Sequence, residues 1–326
     1  MNKFPIKLAP SYKDYLWGGT RLKEEFNKDT DLIRVAESWE CSTHPDGVST
    51  VDYGEYRGRL FTEYLNDNPD SLGDKYSALK ELPILIKLID AKERLSIQVH
   101  PDDEYAAEFE NGARGKTEMW YVLDAKPESR IIFGIKSDVT PEMIRKAVSG
   151  PDISKYLNKF EVSKDDVFFI NPGTIHAIGA GCVVAEIQES SNLTYRIYDY
   201  DRRDSNGNLR ELHTDKALDV ARLEADTKPR QPLRVLRYKP GMAREILGRC
   251  KYFEVYRMIV NNAGEYDTTY RTDNLAFSVF LCVDGEGRLI FEDEQMPIKK
   301  GECVFIPADS VGIRIEGSLQ LLEIRG

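Results

Sequence analysis

Gln98, His100, Glu118 and His176 are residue types that ligate a metal through nitrogen and oxygen. The segment Leu95–His100 alternates, with Leu95, Ile97 and Val99 on one face and Ser96, Gln98 and His100 on the other. Residues two apart on a strand share a side, so Gln98 and His100 project together. A lone polar face of this kind more often meets water. Here the strand ends in Pro101-Asp102-Asp103 beside the apolar run Ile84–Ile89, which argues for the wall of a pocket. Glu118 enters the apolar run Met119–Leu123, where a carboxylate is costly to bury unless paired or metal-bound. By itself it reads equally well as a strand-end glutamate in solvent. His176 follows the turn Asn171-Pro172-Gly173-Thr174, a setting in which one histidine is often only a core residue. Taken together, two imidazoles, a carboxylate and a carboxamide without sulfur suit zinc, iron, manganese or cobalt, with a position left for water or substrate. One zinc ion per chain is the expectation. His44 and His213 read as loop residues outside this set.

The elements that must position these side chains are mostly short strands rich in Val, Ile, Phe and Tyr and bounded by Gly, Pro, Asn or Asp. They are Ile84–Ile89, Leu95–His100, Met119–Leu123, Arg130–Phe133, Asp166–Ile170, Cys182–Glu186, Thr194–Tyr198, Phe277–Val283, Arg288–Phe291 and Cys303–Ile306. Helices are predicted at Leu60–Asn66, Asp102–Glu110, Pro141–Ser149, Ile153–Asn158 and Lys216–Leu223. Asp166–His176 and Glu302–Val311 both run from a strand into a proline turn. Aligning Pro172 with Pro307 puts Val311 where His176 stands, and no histidine follows His213. The reading is a mainly β chain of two barrels: residues 1–235 holding the metal, and residues 236–326 as a degenerate copy without one. The proline-bearing stretch Ala225–Gly241 is the expected linker.

A net charge of −10 over 326 residues argues against nucleic acid or an anionic membrane as partner. An anionic small molecule stays open if a few cations gather in one pocket. The cysteines Cys41, Cys182, Cys250, Cys282 and Cys303 are odd in number and widely spaced, so they read as reduced thiols. Neither a signal peptide nor a membrane span is visible, and the expected location is cytoplasmic. The expected assembly is a monomer or weak homo-oligomer.

Several segments resemble the cupins and, more closely, the type I mannose-6-phosphate isomerases. Leu95–Asp102 (LSIQVHPD), Gly115–Trp120 (GKTEMW) and Asn171–His176 (NPGTIH) resemble the family's metal-ligand segments. Tyr15–Gly19 (YLWGG), Ala36–Trp39 (AESW) and Tyr195–Arg202 (YRIYDYDR) match in the same order. The resemblance implies two cupin-type jelly-roll domains with small helical insertions, and zinc on Gln98, His100, Glu118 and His176. It marks Arg196 as catalytic and Trp17, Glu37, Ser96, Lys116 and Glu186 as pocket-lining. The implied substrate is a hexose 6-phosphate, and the implied reaction interconverts mannose 6-phosphate and fructose 6-phosphate through an enediol. The length resembles the short bacterial branch, with modest insertions at Phe61–Leu82 and Asp102–Gly115.

In that reaction Glu186 offers a carboxylate that burial could tune into a base, and Lys116 is a second candidate. Arg196 stays protonated, so chemistry alone assigns it enediolate or phosphate stabilisation. Arg202 ranks after Arg196 and Lys116 for phosphate, and with Arg203 reads better as a solvated turn. Trp120 reads as core. Two other readings are kept: another metal-dependent cupin enzyme, such as an iron oxygenase, and a non-enzymatic sugar-phosphate-binding or storage cupin.

Overall fold

The computed structural model describes residues 3–148, 151–203, 207–225, 229 and 232–326. Its strands form three antiparallel sheets. A six-stranded sheet runs Val167–Ile170, Glu118–Ala125, Cys182–Glu189, Ile84–Ala91, Glu37–Cys41, Ser11–Lys13. A five-stranded sheet runs Tyr195–Tyr198, Ile97–Val99, His176–Ile178, Arg130–Ile135, Leu157–Glu161. These two pack face to face over Trp17, Ile89, Trp120, Val122, Ile131, Phe133 and Ile178. The mainly β, jelly-roll reading of the sequence is what the chain adopts.

Strand periodicity explains why the central strands are buried on both sides. Ile84, Ile86 and Leu88 face a large core, as do Met119, Tyr121, Leu123, Val183, Ala185 and Ile187. That core also takes Val255, Val279, Phe305 and Ile324 from the C-terminal part, so the two parts are joined by apolar burial. The alternate residues Lys87, Glu118, Trp120 and Glu186 therefore point the other way, between the first two sheets.

The third sheet has ten strands and holds most of the C-terminal part. Its strand Ser278–Phe291 spans 14 residues and Ile313–Arg325 spans 13. A register shift at Cys282/Asp284 lets the pair bend, and the sheet curls around Met258, Phe280, Leu289, Phe291 and Ile315. The N-terminal strand Ile6–Ala9 joins this sheet beside Cys303–Ile306, and Thr50–Val51 pairs with it in turn.

Three expectations need correction. Phe277–Val283 and Arg288–Phe291 belong to one continuous strand, because Gly285 and Gly287 allow close backbone approach to Ser318 and Glu316 rather than a break. Ile153–Asn158 is not an α-helix: a 3-10 turn ends at Lys155 and the strand Leu157–Glu161 follows, paired with Arg130–Ile135. Within the expected linker, Val235–Lys239 is an exposed edge strand paired with Met242–Arg249, while residues 226–228 and 230–231 lie outside the described residues. The helices Phe61–Asp67, Asp103–Phe109, Pro141–Val148 and Thr214–Val220 fall where sequence placed the others, within the described residues. None of the five cysteines is in a disulfide; four are buried and Cys250 is half-buried. Among the described residues no helix is long and apolar enough to cross a membrane.

Candidate metal centre

Two rows of cross-strand neighbours build the site. On the six-stranded sheet, Trp39 pairs with Lys87, Lys87 with Glu186, and Glu186 with Trp120. On the facing sheet, Arg196 pairs with Gln98, Gln98 with His176, and His176 with Phe133. Directly opposed residues in antiparallel ladders keep their side chains on one face. Each row therefore presents its polar groups to the space between the sheets.

His100 follows the strand Ile97–Val99, and its carbonyl accepts the Gly173 N–H at 2.9 Å, which ties it to the turn before His176. That turn needs glycine: Gly173 has φ +81, and a Cβ there would meet the Val220 carbonyl oxygen at 2.8 Å. Glu118 opens its strand, after Lys116 has bonded through its N–H to the Pro101 carbonyl at 3.0 Å. The ligating atoms of His100, Glu118 and His176 all lie within 4.8 Å of one another, and all three residues are buried.

Each ring is oriented by its other nitrogen. His100 Nδ1 donates to the Leu193 carbonyl at 2.9 Å and His176 Nδ1 to the Thr174 carbonyl at 2.8 Å. This fixes the tautomer and makes both Nε2 atoms the acceptor nitrogens, as metal-bound histidines require. Burial pushes the His100 imidazole down to about 3, with Lys116 adding to the effect, and burial also lowers His176. Both rings are therefore neutral, the form in which imidazole can ligate a metal. His100 Nε2 lies 3.5 Å and His176 Nε2 3.3 Å from the Glu118 oxygens. Lys116 Nζ is 2.8 Å from Glu118 Oε2, an ion-pair contact, yet neither carboxylate oxygen accepts a well-formed hydrogen bond. Burial opposes charge on Glu118, but its charged surroundings, Lys116 foremost, hold the carboxyl well below its usual range.

Unpartnered buried acceptors of this kind are costly, and His100 Nε2 and both Glu118 oxygens converge on one point. A divalent cation satisfies all three at once. Gln98 lies beside these three: its carboxamide is 3.4 Å from His176 Nε2 and accepts from the Ser96 hydroxyl at 3.2 Å. Exchanging its N and O would turn an oxygen toward the imidazoles and let the amide donate to Ser96 instead. The residues present fit a metal ion.

Beside this cluster lies a cavity of about 240 Å³ lined by Trp17, Glu37, Ser96, Gln98, Lys116, Glu186 and Arg196, all singled out from the sequence. Glu186 Oε2 accepts from Trp120 Nε1 at 2.9 Å, and its Oε1 lies 3.3 Å from Lys87 Nζ and 3.9 Å from Lys116 Nζ. Burial raises the Glu186 carboxyl against the pull of Lys116 and Lys87. Trp120 is core, as expected. Arg196 donates through Nη1 to the Glu211 carbonyl at 2.8 Å, and its buried Nε has no partner among the described residues. Arg202 is tied to Asp199 and to the Arg94 carbonyl and does not line the cavity. His44 and His213 stand apart from the metal cluster, but His213 Nδ1 accepts the Arg196 backbone N–H at 3.2 Å.

Sequence reasoning missed Lys87, Arg210, Tyr15 and Asn192, which also line the cavity. Lys87 alone carried a signal: a lysine inside the apolar run ILIKLIDA. It is buried, 3.5 Å from Glu37 Oε2, and lies over the Trp39 ring at 4.8 Å.

Comparison with known proteins identifies the family and the fold. Residues 6–133 match the phosphomannose isomerase type I catalytic domain, and residues 244–325 match the mannose-6-phosphate isomerase cupin domain. The mannose-6-phosphate isomerase of Streptococcus mutans is 34% identical over 98% of this chain and 97% of its own. The crystal structure of the mannose 6-phosphate isomerase from Bacillus subtilis superposes with a TM-score of 0.89 at 33% identity, covering 98% of this chain and 99% of that one. A phosphomannose isomerase from Salmonella typhimurium shares the fold at a TM-score of 0.77 and 16% identity, over 98% of each chain. With two domain matches in order and full-length relatives above 30% identity, the chain belongs to the type I phosphomannose isomerase family.

Proposed function

We propose that this chain interconverts mannose 6-phosphate and fructose 6-phosphate, using one zinc ion held by Gln98, His100, Glu118 and His176. The carrying observation is the convergence of two imidazole Nε2 atoms and a buried carboxylate that accepts no well-formed hydrogen bond, beside a cavity edged with cations. A divalent ion bound there supplies Lewis acidity toward the oxygens on C1 and C2. The protein's own groups do the rest.

In the open-chain sugar a proton must leave C2 of the aldose and arrive at C1 of the ketose, through an enediol. Glu186 is the proton carrier: burial raises its carboxyl, which suits a base that must also give the proton back. Lys87 and Lys116 flank it and stabilise its ionised form. Arg196 and Arg210 stand at the cavity wall and hold the phosphate or the enediolate oxygen. Trp17, Glu37 and Ser96 shape the remaining wall, and the substrate they enclose is kept in one orientation. We read residues 1–235 as the catalytic unit and 236–326 as a unit without a metal, since Val311 replaces the histidine of the first turn. A cytoplasmic enzyme acting on a free sugar phosphate, as a monomer or weak homo-oligomer, accords with the net charge and the absence of a membrane-length helix among the described residues.

The test is a coupled assay on mannose 6-phosphate before and after chelation, with zinc, iron, manganese and cobalt added back in turn. Turnover lost on chelation and restored best by zinc is expected. A chelated chain that keeps its full rate refutes the metal role, and best recovery with another ion refutes zinc.

A further inference from the structure

The C-terminal sheet carries a second cavity, about 460 Å³, built from residues 237–325 and sharing no residue with the first. Lys239 pairs with Met242 and Arg237 with Arg244 across one ladder, and Arg244 pairs with Met258 across the next. Opposed residues share a face. Met242 and Met258 belong to the apolar interior of this sheet, so the cations stand at the mouth of that interior. Ligand sites favour such mouths. Arg271 and Arg325 add to the rim, giving five cations against the single lining carboxylate of Glu323.

Two of the five are already spent on carboxylates. Arg244 donates to Glu323 at 2.6 and 2.8 Å, where the Tyr270 hydroxyl also donates at 2.9 Å. Arg325 donates to Asp273 at 3.1 Å. Arg237, Lys239 and Arg271 form no ion pair among the described residues. Asp267 feels Lys239 but is not paired with it. Three cations without an ion-pair partner among the described residues, around one concavity, create a local positive potential on a chain whose net charge is −10. The volume is that of a small organic ligand, too large for a lone oxyanion. Guanidinium groups match phosphate oxygens in bidentate geometry, and Tyr270 with Met242 offers ring and apolar surface at the base.

We propose that this cavity is a second ligand site, which takes a phosphorylated small metabolite. Its phosphate rests on Arg237, Lys239 and Arg271, and its organic part lies over Tyr270 and Met242. The site does not depend on the isomerase reading, because it uses none of the first cavity's residues.

The test is calorimetric titration of the full-length, metal-loaded chain with fructose 6-phosphate, a nucleoside diphosphate and inorganic phosphate, each repeated on Arg237→Ala/Arg271→Ala. Both arginines are exposed and form no ion pair among the described residues, so the variant should keep its fold and its turnover; should it not fold, Arg271→Ala alone carries the same comparison. For a sugar phosphate, the number of sites per chain should fall by one, whether or not the first cavity also binds it. For a nucleotide, one site should fall to none. In either case the lost site should weaken on the order of tenfold or more and be salt-sensitive. Unchanged isotherms with both organic phosphates, or a response to inorganic phosphate alone, overturn the proposal.

Discussion

Lys87 and Glu186 face each other across the ladder between Ile84–Ala91 and Cys182–Glu189, with Nζ 3.3 Å from Oε1 and both side chains buried. Burial opposes the Lys87 charge, but Glu37, Glu186 and Glu118 outweigh it and hold the ammonium above its usual value. Lys87 is therefore charged, and with Lys116 it opposes the burial-driven rise of the Glu186 carboxyl, so the two groups of the pair depend on each other. Removing one partner of a buried pair leaves an uncompensated charge, at a cost of about 3–5 kcal/mol. Lys87→Met should lower the denaturation free energy by that amount, and Lys87→Met/Glu186→Gln should recover much of it. Glu186→Gln alone should keep its metal and lose turnover. If the double variant is no more stable than Lys87→Met, the two groups are not coupled.

His100→Ala or His176→Ala removes an imidazole whose Nδ1 is fixed by a carbonyl and whose Nε2 meets Glu118. Metal content per chain, read by elemental mass spectrometry, should fall to near background, and isomerisation with it. A purified variant that retains both would mean the ligands lie elsewhere.

Arg196→Ala should behave differently. Its guanidinium reaches the cavity but is no part of the metal cluster. The expected result is full metal content with turnover reduced on the order of a hundredfold or more, the usual scale for losing a charge-stabilising donor. Arg196→Lys should rescue poorly, because an ammonium lacks the planar fork. Metal loss in Arg196→Ala would make the residue structural.

Glu189 supplies a pH test on a carboxyl outside the proposed ligand set, though bonded to Thr117 next to Glu118. It is buried, its Oε1 accepts the Thr117 N–H at 2.7 Å, and burial with the nearby Asp103 carboxyl raises it to about 7. Asp103 in turn accepts from the Tyr252 hydroxyl at 2.7 Å and lies 3.3 Å from Lys251 Nζ. A carboxyl with a raised folded-state pKa keeps its proton after the unfolded chain has lost it. Its contribution is thus present at acid pH and fades as pH climbs from about 4.5 to 7. Glu189→Gln should remove that decline, making the variant more stable than the parent by about 2–3 kcal/mol at pH 8 relative to pH 4. Parallel stability curves for the two proteins would place the Glu189 pKa at an ordinary value.

The contrast between Gln98 and Lys87 shows what could be read in advance. Gln98 and His100 sit on an alternating strand, so a local period of two was enough to put them on one polar face. Lys87 sits in a strand buried on both faces, where the period vanishes. Its direction is set by which neighbour supplies the apolar side, and that neighbour is the C-terminal part of the chain. Arg210 comes from a loop, and no local pattern ties a loop residue to a cavity. Val235–Lys239 lies among prolines and is exposed throughout, so turn chemistry masked an edge strand whose only partner among the described residues is Met242–Arg249. Ile153–Asn158 failed for a similar reason: pairing with Arg130–Ile135 overrides the propensity of a six-residue window.

Gly115 offers a final test of how the ligands are held. A Cβ there would meet the Asp102 carbonyl carbon at 2.4 Å and the Asp103 nitrogen at 2.5 Å, both backbone atoms with no room to yield. Its N–H donates to Asp103 Oδ1 at 3.1 Å, and the next residue, Lys116, bonds the Pro101 carbonyl. Glycine thus lets the segment carrying Lys116 and Glu118 lie against the backbone that follows His100. Gly115→Ala should push these segments apart and separate Glu118 from His100. A shift on the order of 1 Å at a ligating or reacting group typically costs about a hundredfold in rate. Metal affinity and turnover should therefore drop together, while far-ultraviolet circular dichroism stays close to that of the parent. Unimpaired metal binding in Gly115→Ala would show that the contact can relax without moving Glu118, and that the ligand geometry is held by the sheets alone.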